Sequence, residues 1–147
     1  MMRVFSTGLG RFANLHTILV MRIFGIGTDI TECERIARMI LRHPDSFVQR
    51  VFTDAEIAYC SRGKRQSAEH FTGRWAAKEA ILKALGTGWS SGITWRDMEI
   101  LNEPGGKPCV HLTGAAAEIA RKNGITEIQI SISHCVSHAV AFAIAVA

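Results

Sequence analysis

Ile128, Ile130 and Ile132 alternate with Gln129, Ser131 and Ser133, a period of two that predicts a strand over 127–133 with one buried face. Near the front of the chain, Met21-Arg22-Ile23-Phe24-Gly25-Ile26-Gly27-Thr28-Asp29-Ile30 reads as a short apolar strand that ends on an acid. Its two glycines suggest that another backbone or a ligand approaches closely. From 31 to about 42 the period changes to that of a helix, with Ile36, Met39 and Ile40 on one side and Arg35, Arg38 and Arg42 on the other. His43-Pro44-Asp45 should end it, because the residue before proline resists the helical region. A short segment over 47–52 then leads to Thr53, the expected cap of a helix reaching Cys60. Arg62-Gly63-Lys64-Arg65 makes a basic turn before a long helix over 67–85, which Gly86-Thr87-Gly88 stops.

The second half reads as sheet with one helix. A strand is expected over 93–101, followed by the turn formers Asn102, Glu103, Pro104, Gly105, Gly106, Lys107 and Pro108, and a returning strand over 109–112. Thr113 should cap a helix over 115–122 that ends at Asn123-Gly124. The small-residue run 139–147 fits strand or helix by pattern alone and is read as a last strand from His138. Together these elements predict a single small α+β domain, helices first, packed on a mostly antiparallel sheet that follows.

Composition narrows this only a little. A chain of 147 residues that is 48% hydrophobic makes one domain of ordinary size, with apolar surface to spare for a subunit contact. A formal charge of +4 suits an anionic partner, whether nucleic acid, membrane, phosphate-rich cofactor or acidic protein, and does not choose among them. The four cysteines, Cys33, Cys60, Cys109 and Cys135, form no C-x-x-C pair, which argues for reduced thiols rather than a zinc knuckle or redox motif. No window offers the twenty or so apolar residues of a membrane span.

Chemistry concentrates in Arg74-Trp75-Ala76-Ala77-Lys78-Glu79-Ala80 and Lys83. On one helix, Glu79 and Lys83 share a face, so a carboxylate able to hold a hard metal sits beside a cation able to meet a phosphate. Alone, that spacing describes any solvated surface pair. Asp29, at the strand end where the chain passes into helix, is as readily a helix cap. His134, Cys135 and His138 suggest a transition-metal site but lack a fourth ligand.

In combination these motifs are specific. The chain resembles the holo-[acyl-carrier-protein] synthases, small phosphopantetheinyl transferases, through Gly25-Ile26-Gly27-Thr28-Asp29-Ile30, Glu34-Arg35-Ile36, the Arg74 to Ala80 run with Lys83, and Gly86-Thr87-Gly88. Gly106-Lys107-Pro108 and Ser131-Ile132-Ser133-His134 match later in the same order, so the resemblance runs from about Met21 to the C-terminus. It implies the 4′-phosphopantetheinyl transferase fold and a cytoplasmic, Mg²⁺-dependent enzyme of fatty acid biosynthesis. The 4′-phosphopantetheine arm of coenzyme A would move to a serine of apo acyl carrier protein, releasing adenosine 3′,5′-bisphosphate.

The same resemblance assigns roles. Asp29 and Glu79 would be the metal ligands, a number that suits Mg²⁺, and Glu79 and Lys83 the catalytic pair, with Lys83 on the phosphates. The serine proton would go to Glu79 or to a metal-bound water. Arg74, Gly106, Lys107, Pro108 and His134 would contact coenzyme A. Arg35, Arg38 and Arg42 would dock the acidic carrier protein, Arg35 foremost. A homotrimer with active sites at subunit junctions is implied, with neither nucleic acid nor membrane as partner. Cys135-Val136-Ser137-His138 departs from the polar or charged residues and tyrosine common in relatives. A basic nucleic-acid module and a metal-dependent phosphohydrolase remain the competing classes; the first lacks aromatics and any RNA-binding signature.

Residues 1–20, with Arg3, Arg11 and no acid, are expected to be an extension outside the fold, the domain spanning 21–147. A transit peptide is the other account of them.

Overall fold

The computed structural model describes residues 21–63 and 67–147. The expected extension and part of the basic turn, Lys64 and Arg65, lie outside the described residues. The elements run β1 (Ile23–Glu32), α1 (Cys33–Arg42), α2 (Pro44–Val51), α3 (Asp54–Cys60), α4 (Ser67–Leu85), a 3-10 turn (Trp95–Asp97), β2 (Met98–Asn102), β3 (Pro108–Leu112), α5 (Gly114–Lys122), β4 (Glu127–His134) and β5 (His138–Val146). One antiparallel sheet has the order β1-β5-β4, and β2 and β3 form a separate hairpin. The α+β class expected from the pattern holds. The order does not: the sheet joins the first strand to the last instead of following the helices.

β5 resolves the ambiguous small-residue run. As the central strand it pairs on both sides, and its Ala139, Ala141, Ala143 and Ala145 are wholly buried. Small side chains there let α4 lie close against the sheet. On β1 the approach is closer still, because a Cβ on Gly25 or Gly27 would run into the carbonyl oxygens of Ala84 and Ala80. Ala76, Ala77, Ala80, Ile81 and Ala84 form the helix side of this core, and β2, β3 and α5 close it from the other end. α1, α2 and α3 wrap a second cluster in which Phe52 meets Phe71 edge-on and Phe47 faces Trp75.

Three boundaries differ from expectation, each for a reason beyond local sequence. β1 continues through Thr31 and Glu32, which pair with Ala139 and His138, so Asp29 lies within the strand rather than at its end. Pro44 starts a helix as well as ending one: it takes the first position of α2, whose Phe47 and Val51 bury one turn apart where an irregular segment was expected. The strand expected from 93 begins only at Met98, because Thr94 and Asp97 close a capping box around the 3-10 turn. Asp97 also supplies the cap expected of Thr113, its Oδ2 accepting from the Ala115 N–H at 3.1 Å.

Candidate active site

The close contact between α4 and β1 places Asp29, Glu79 and Lys83 together. Lys83 Nζ donates to Asp29 Oδ1 at 3.0 Å and to the Thr28 carbonyl at 2.6 Å, while Thr31 Oγ1 donates to Asp29 Oδ2 at 2.8 Å. Asp29 is mostly covered, at 17% side-chain exposure, whereas the Lys83 side chain is half exposed and open to an incoming anion. The salt bridge thus crosses from helix to strand and does not follow the Glu79–Lys83 helical spacing.

Burial lifts the Glu79 carboxyl above the usual carboxylate range and the Asp29 charge adds to this, with Lys83 and Arg35 pulling the other way. Among the described residues no hydrogen bond to its carboxyl offsets the effect. Two mutually repelling carboxylates, one without a donor, are a fit for a hard divalent cation. Among the described residues no set of three His, Cys, Asp or Glu gathers into a metal site, so water and phosphate oxygens would complete such a shell. His134, Cys135 and His138 form no such set either.

Arg74, Gly106, Pro108 and His134 meet elsewhere, around a cavity of about 130 Å³. Arg74 is 5% exposed, held by the Asn102 side chain and stacked over Tyr59 with 4.3 Å from guanidinium carbon to ring centroid. Asn102 is fixed in turn by donating to the Gly106 carbonyl at 2.8 Å. The His70 ring stands 6.0 Å from His134 and 5.5 Å from Tyr59, centroid to centroid. Burial and the neighbouring Arg74 and His134 charges push the His70 pKa down. Lys107 is not part of this group. It lines a larger cavity, about 560 Å³, between the β2–β3 hairpin, α5 and β4.

The two groups occupy opposite flanks of α4. Lys83 reaches β1, while Gly73, one residue before Arg74, packs on Ile132 of β4. His134 pairs with Ala139, and Ala139 with Thr31, so two strand spacings, about 10 Å, separate the β4 group from the Asp29 end of β1. Of the expected docking arginines, all exposed, Arg38 is paired with Glu34 at 3.2 Å and Arg35 lies near enough to act on Glu79. Arg42 sits in the last turn of α1.

Sequence reasoning missed the placement of three residues, one in the core and two at the smaller cavity. Lys78 is not at either site: it is wholly buried, donating to Glu56 Oε2 at 2.7 Å and to the carbonyls of Val51 and Trp95. Burial lowers its pKa, with Glu56 opposing. Glu69 and His70 line the smaller cavity. The i,i+4 spacing from His70 to Arg74 was the available signal.

The chain belongs to the 4′-phosphopantetheinyl transferase superfamily, whose family model matches residues 25–145. Within that class it groups with the holo-[acyl-carrier-protein] synthases, and it is an enzyme of that kind. The holo-[acyl-carrier-protein] synthase of Geotalea daltonii is 49% identical over 119 residues, 81% of this chain and 94% of the relative. The crystal structure of holo-ACP-synthase from Plasmodium yoelii superposes with a TM-score of 0.75 at 35% identity, covering 86% of this chain and 96% of that one. The Helicobacter pylori enzyme, solved in complex with coenzyme A, gives 0.70 at 30% identity over 82% of this chain and 98% of its own.

Proposed function

We propose that this enzyme transfers the 4′-phosphopantetheine of coenzyme A to a serine of apo acyl carrier protein, with Mg²⁺, releasing adenosine 3′,5′-bisphosphate in the service of cytoplasmic fatty acid synthesis. The observation that carries the reading is the Asp29, Glu79 and Lys83 group, two carboxylates and a half-exposed ammonium converging from β1 and α4. Coenzyme A bound to the Helicobacter pylori relative supports the donor.

Asp29 and Glu79 would hold the cation, which when bound neutralises pyrophosphate charge and acidifies a coordinated water. Lys83, already anchored on Asp29 and Thr28, keeps one ammonium proton for the phosphates and stabilises charge gathering on the leaving side. Glu79, engaged by no donor among the described residues, is the side chain available to draw the serine proton, directly or through water. Arg74 and His134 would hold the nucleotide end, and Arg35, beside Glu79, would receive the acidic carrier protein together with Arg38 and Arg42.

A homotrimer with shared sites is part of this reading. Two features support it: the catalytic and nucleotide groups sit on opposite flanks of α4, and the outer sheet face exposes Ile26 and Ile30 on β1 and Phe142 on β5, at 63%, 68% and 51%. Mass spectrometry of apo carrier protein incubated with coenzyme A and Mg²⁺ tests the reaction. The carrier should gain phosphopantetheine, with coenzyme A consumed only when the carrier is present; consumption without carrier would instead identify a phosphohydrolase.

A further inference from the structure

The four cysteines are free thiols, and the fold treats them differently. Cys60 is sealed in the second core cluster and Cys109 lies on β3 of the hairpin. Cys33 and Cys135, 102 positions apart in sequence, are brought together. Cys33 opens α1, where its N–H donates to the Ser137 carbonyl at 2.8 Å and its Sγ–H to the Cys135 carbonyl at 3.8 Å. A disulfide forms only where two stretches of backbone already lie side by side, with Cα atoms within about 7 Å. The sulfur of one cysteine resting on the backbone of the other meets that condition. The Cys135 side chain is exposed, so its own sulfur can turn about the Cα–Cβ bond toward Cys33.

The two thiols are unequal in a way that divides the chemistry between them. Cys135 sits at the turn from β4 to β5, which its N–H closes on the His138 carbonyl at 2.8 Å. Ser137 Oγ lies 3.4 Å from Cys135 Sγ and 3.0 Å from His138 Nδ1, so the hydroxyl can donate to a thiolate while accepting from the imidazole. That hydroxyl and the turn backbone lower the Cys135 pKa, and an exposed thiolate is the form that oxidants attack. Cys33 is 4% exposed and burial raises its pKa, which shields it from oxidants in solution.

We infer that Cys135 is a peroxide-oxidised site and Cys33 its resolving thiol, the pair closing a reversible disulfide between α1 and the β4–β5 turn. Hydrogen peroxide is the oxidant. The Cys135 thiolate attacks one peroxide oxygen, the O–O bond breaks, and the departing hydroxide takes up the proton that the thiol released, leaving water and a sulfenic acid. The Cys33 sulfur then attacks the Cys135 sulfur: the S–S bond forms, the S–O bond breaks, and hydroxide leaves with the Cys33 proton as a second water. Two thiols are oxidised to one disulfide while one peroxide is reduced to two waters. Cys33 thereby guards Cys135, because a sulfenic acid left unresolved passes to sulfinic acid, which thiols do not reverse. A link across so long a stretch of chain also restricts the unfolded state and should stabilise the oxidised fold.

Peroxide treatment of the folded full chain, followed by alkylation and non-reducing peptide mass spectrometry, tests the pair. The wild-type protein should lose two hydrogens in mass, yield a Cys33–Cys135 linked peptide, melt higher by about 4 °C or more, and return to its starting state with dithiothreitol. Cys33→Ala should instead accumulate sulfenic acid on Cys135, trapped by dimedone, and then sulfinic acid. Cys135→Ser, a change at an exposed turn, should leave Cys33 a free thiol under the same treatment. Peroxide that leaves Cys33 unlinked in folded wild type overturns the inference, as does a disulfide from Cys135 to a second copy of the chain. The wild-type peptide map and Cys135→Ser decide the matter even if Cys33→Ala fails to fold.

Discussion

Lys83 reaches across from α4 to Asp29 on β1, 3.0 Å from Nζ to Oδ1, and leaves Glu79, four residues away on its own helix, without a hydrogen-bond partner among the described residues. That choice separates the surroundings of two carboxylates that look alike in sequence. Asp29 is engaged by Lys83 and Thr31, whereas Glu79 retains an open carboxyl beside an ammonium.

Asp29→Asn and Glu79→Gln are each expected to lower the transfer rate by on the order of 100-fold or more. Neither should unfold the protein. Because the fold favours the protonated form of Glu79, its ionised form weakens the fold at neutral pH, and Glu79→Gln should leave the melting temperature unchanged or raised. Excess Mg²⁺ should partly restore the weaker-binding variant. Transfer assays paired with thermal melts check this, and full activity in both variants would remove the metal assignment.

Lys78 and Lys83 lie five residues apart and should fail differently. Lys78→Met strands a buried Glu56 and is expected to cost about 3–5 kcal/mol of stability. Lys83→Met should cost little stability and most of the transfer rate. Urea denaturation beside the transfer assay separates the two; a stable Lys78→Met protein would contradict the buried pair.

Arg35→Glu should raise the KM for carrier protein and flatten its salt dependence, because charges at an interface rim act mainly on encounter. Arg38→Glu should do less, since that guanidinium is already paired with Glu34. Kinetics across a salt series provide the measurement, and identical curves for wild type and Arg35→Glu would move the docking surface elsewhere.

Thiol reactivity should be strongly graded. Burial pushes the Cys60 thiol up to about 12, while hydrogen bonds from Ser137 and the turn hold the exposed Cys135 below the ordinary range. At pH 8 an alkylating reagent should label Cys135 first and Cys60 only on unfolding, as read by peptide mass spectrometry. Above pH 9 the unfolded chain ionises Cys60 while the fold keeps it protonated, so stability falls as pH rises toward about 12. Cys60→Ala should lessen that fall in denaturation curves taken at several pH values.

A chain beginning at Met21 is expected to fold and to transfer phosphopantetheine at a rate comparable to the full sequence. Circular dichroism and the transfer assay test it. Loss of folding would show that residues 1–20 support the domain.

Much of this protein was legible in its sequence because the signals are local. Alternating isoleucines gave β4, the Gly86-Thr87-Gly88 stop gave the end of α4, and the turn formers around Gly105 gave the hairpin. Asp29, Glu79 and Lys83 stood out because residue types and spacing carry their chemistry.

What local spacing cannot encode is which distant segment lies alongside. β1 pairs with β5 at the far end of the chain, and nothing within either strand names the other. Lys78 and Lys83 share a helix and a charge, yet one is wholly buried on Glu56 and the other half exposed on Asp29, because different elements pack on their two sides of α4. Helix geometry permits Lys83 to meet Glu79 just as well. It meets Asp29 because Gly25 and Gly27 lack the Cβ atoms that would hold β1 away from Ala80 and Ala84, a contact that exists only once strand and helix are packed.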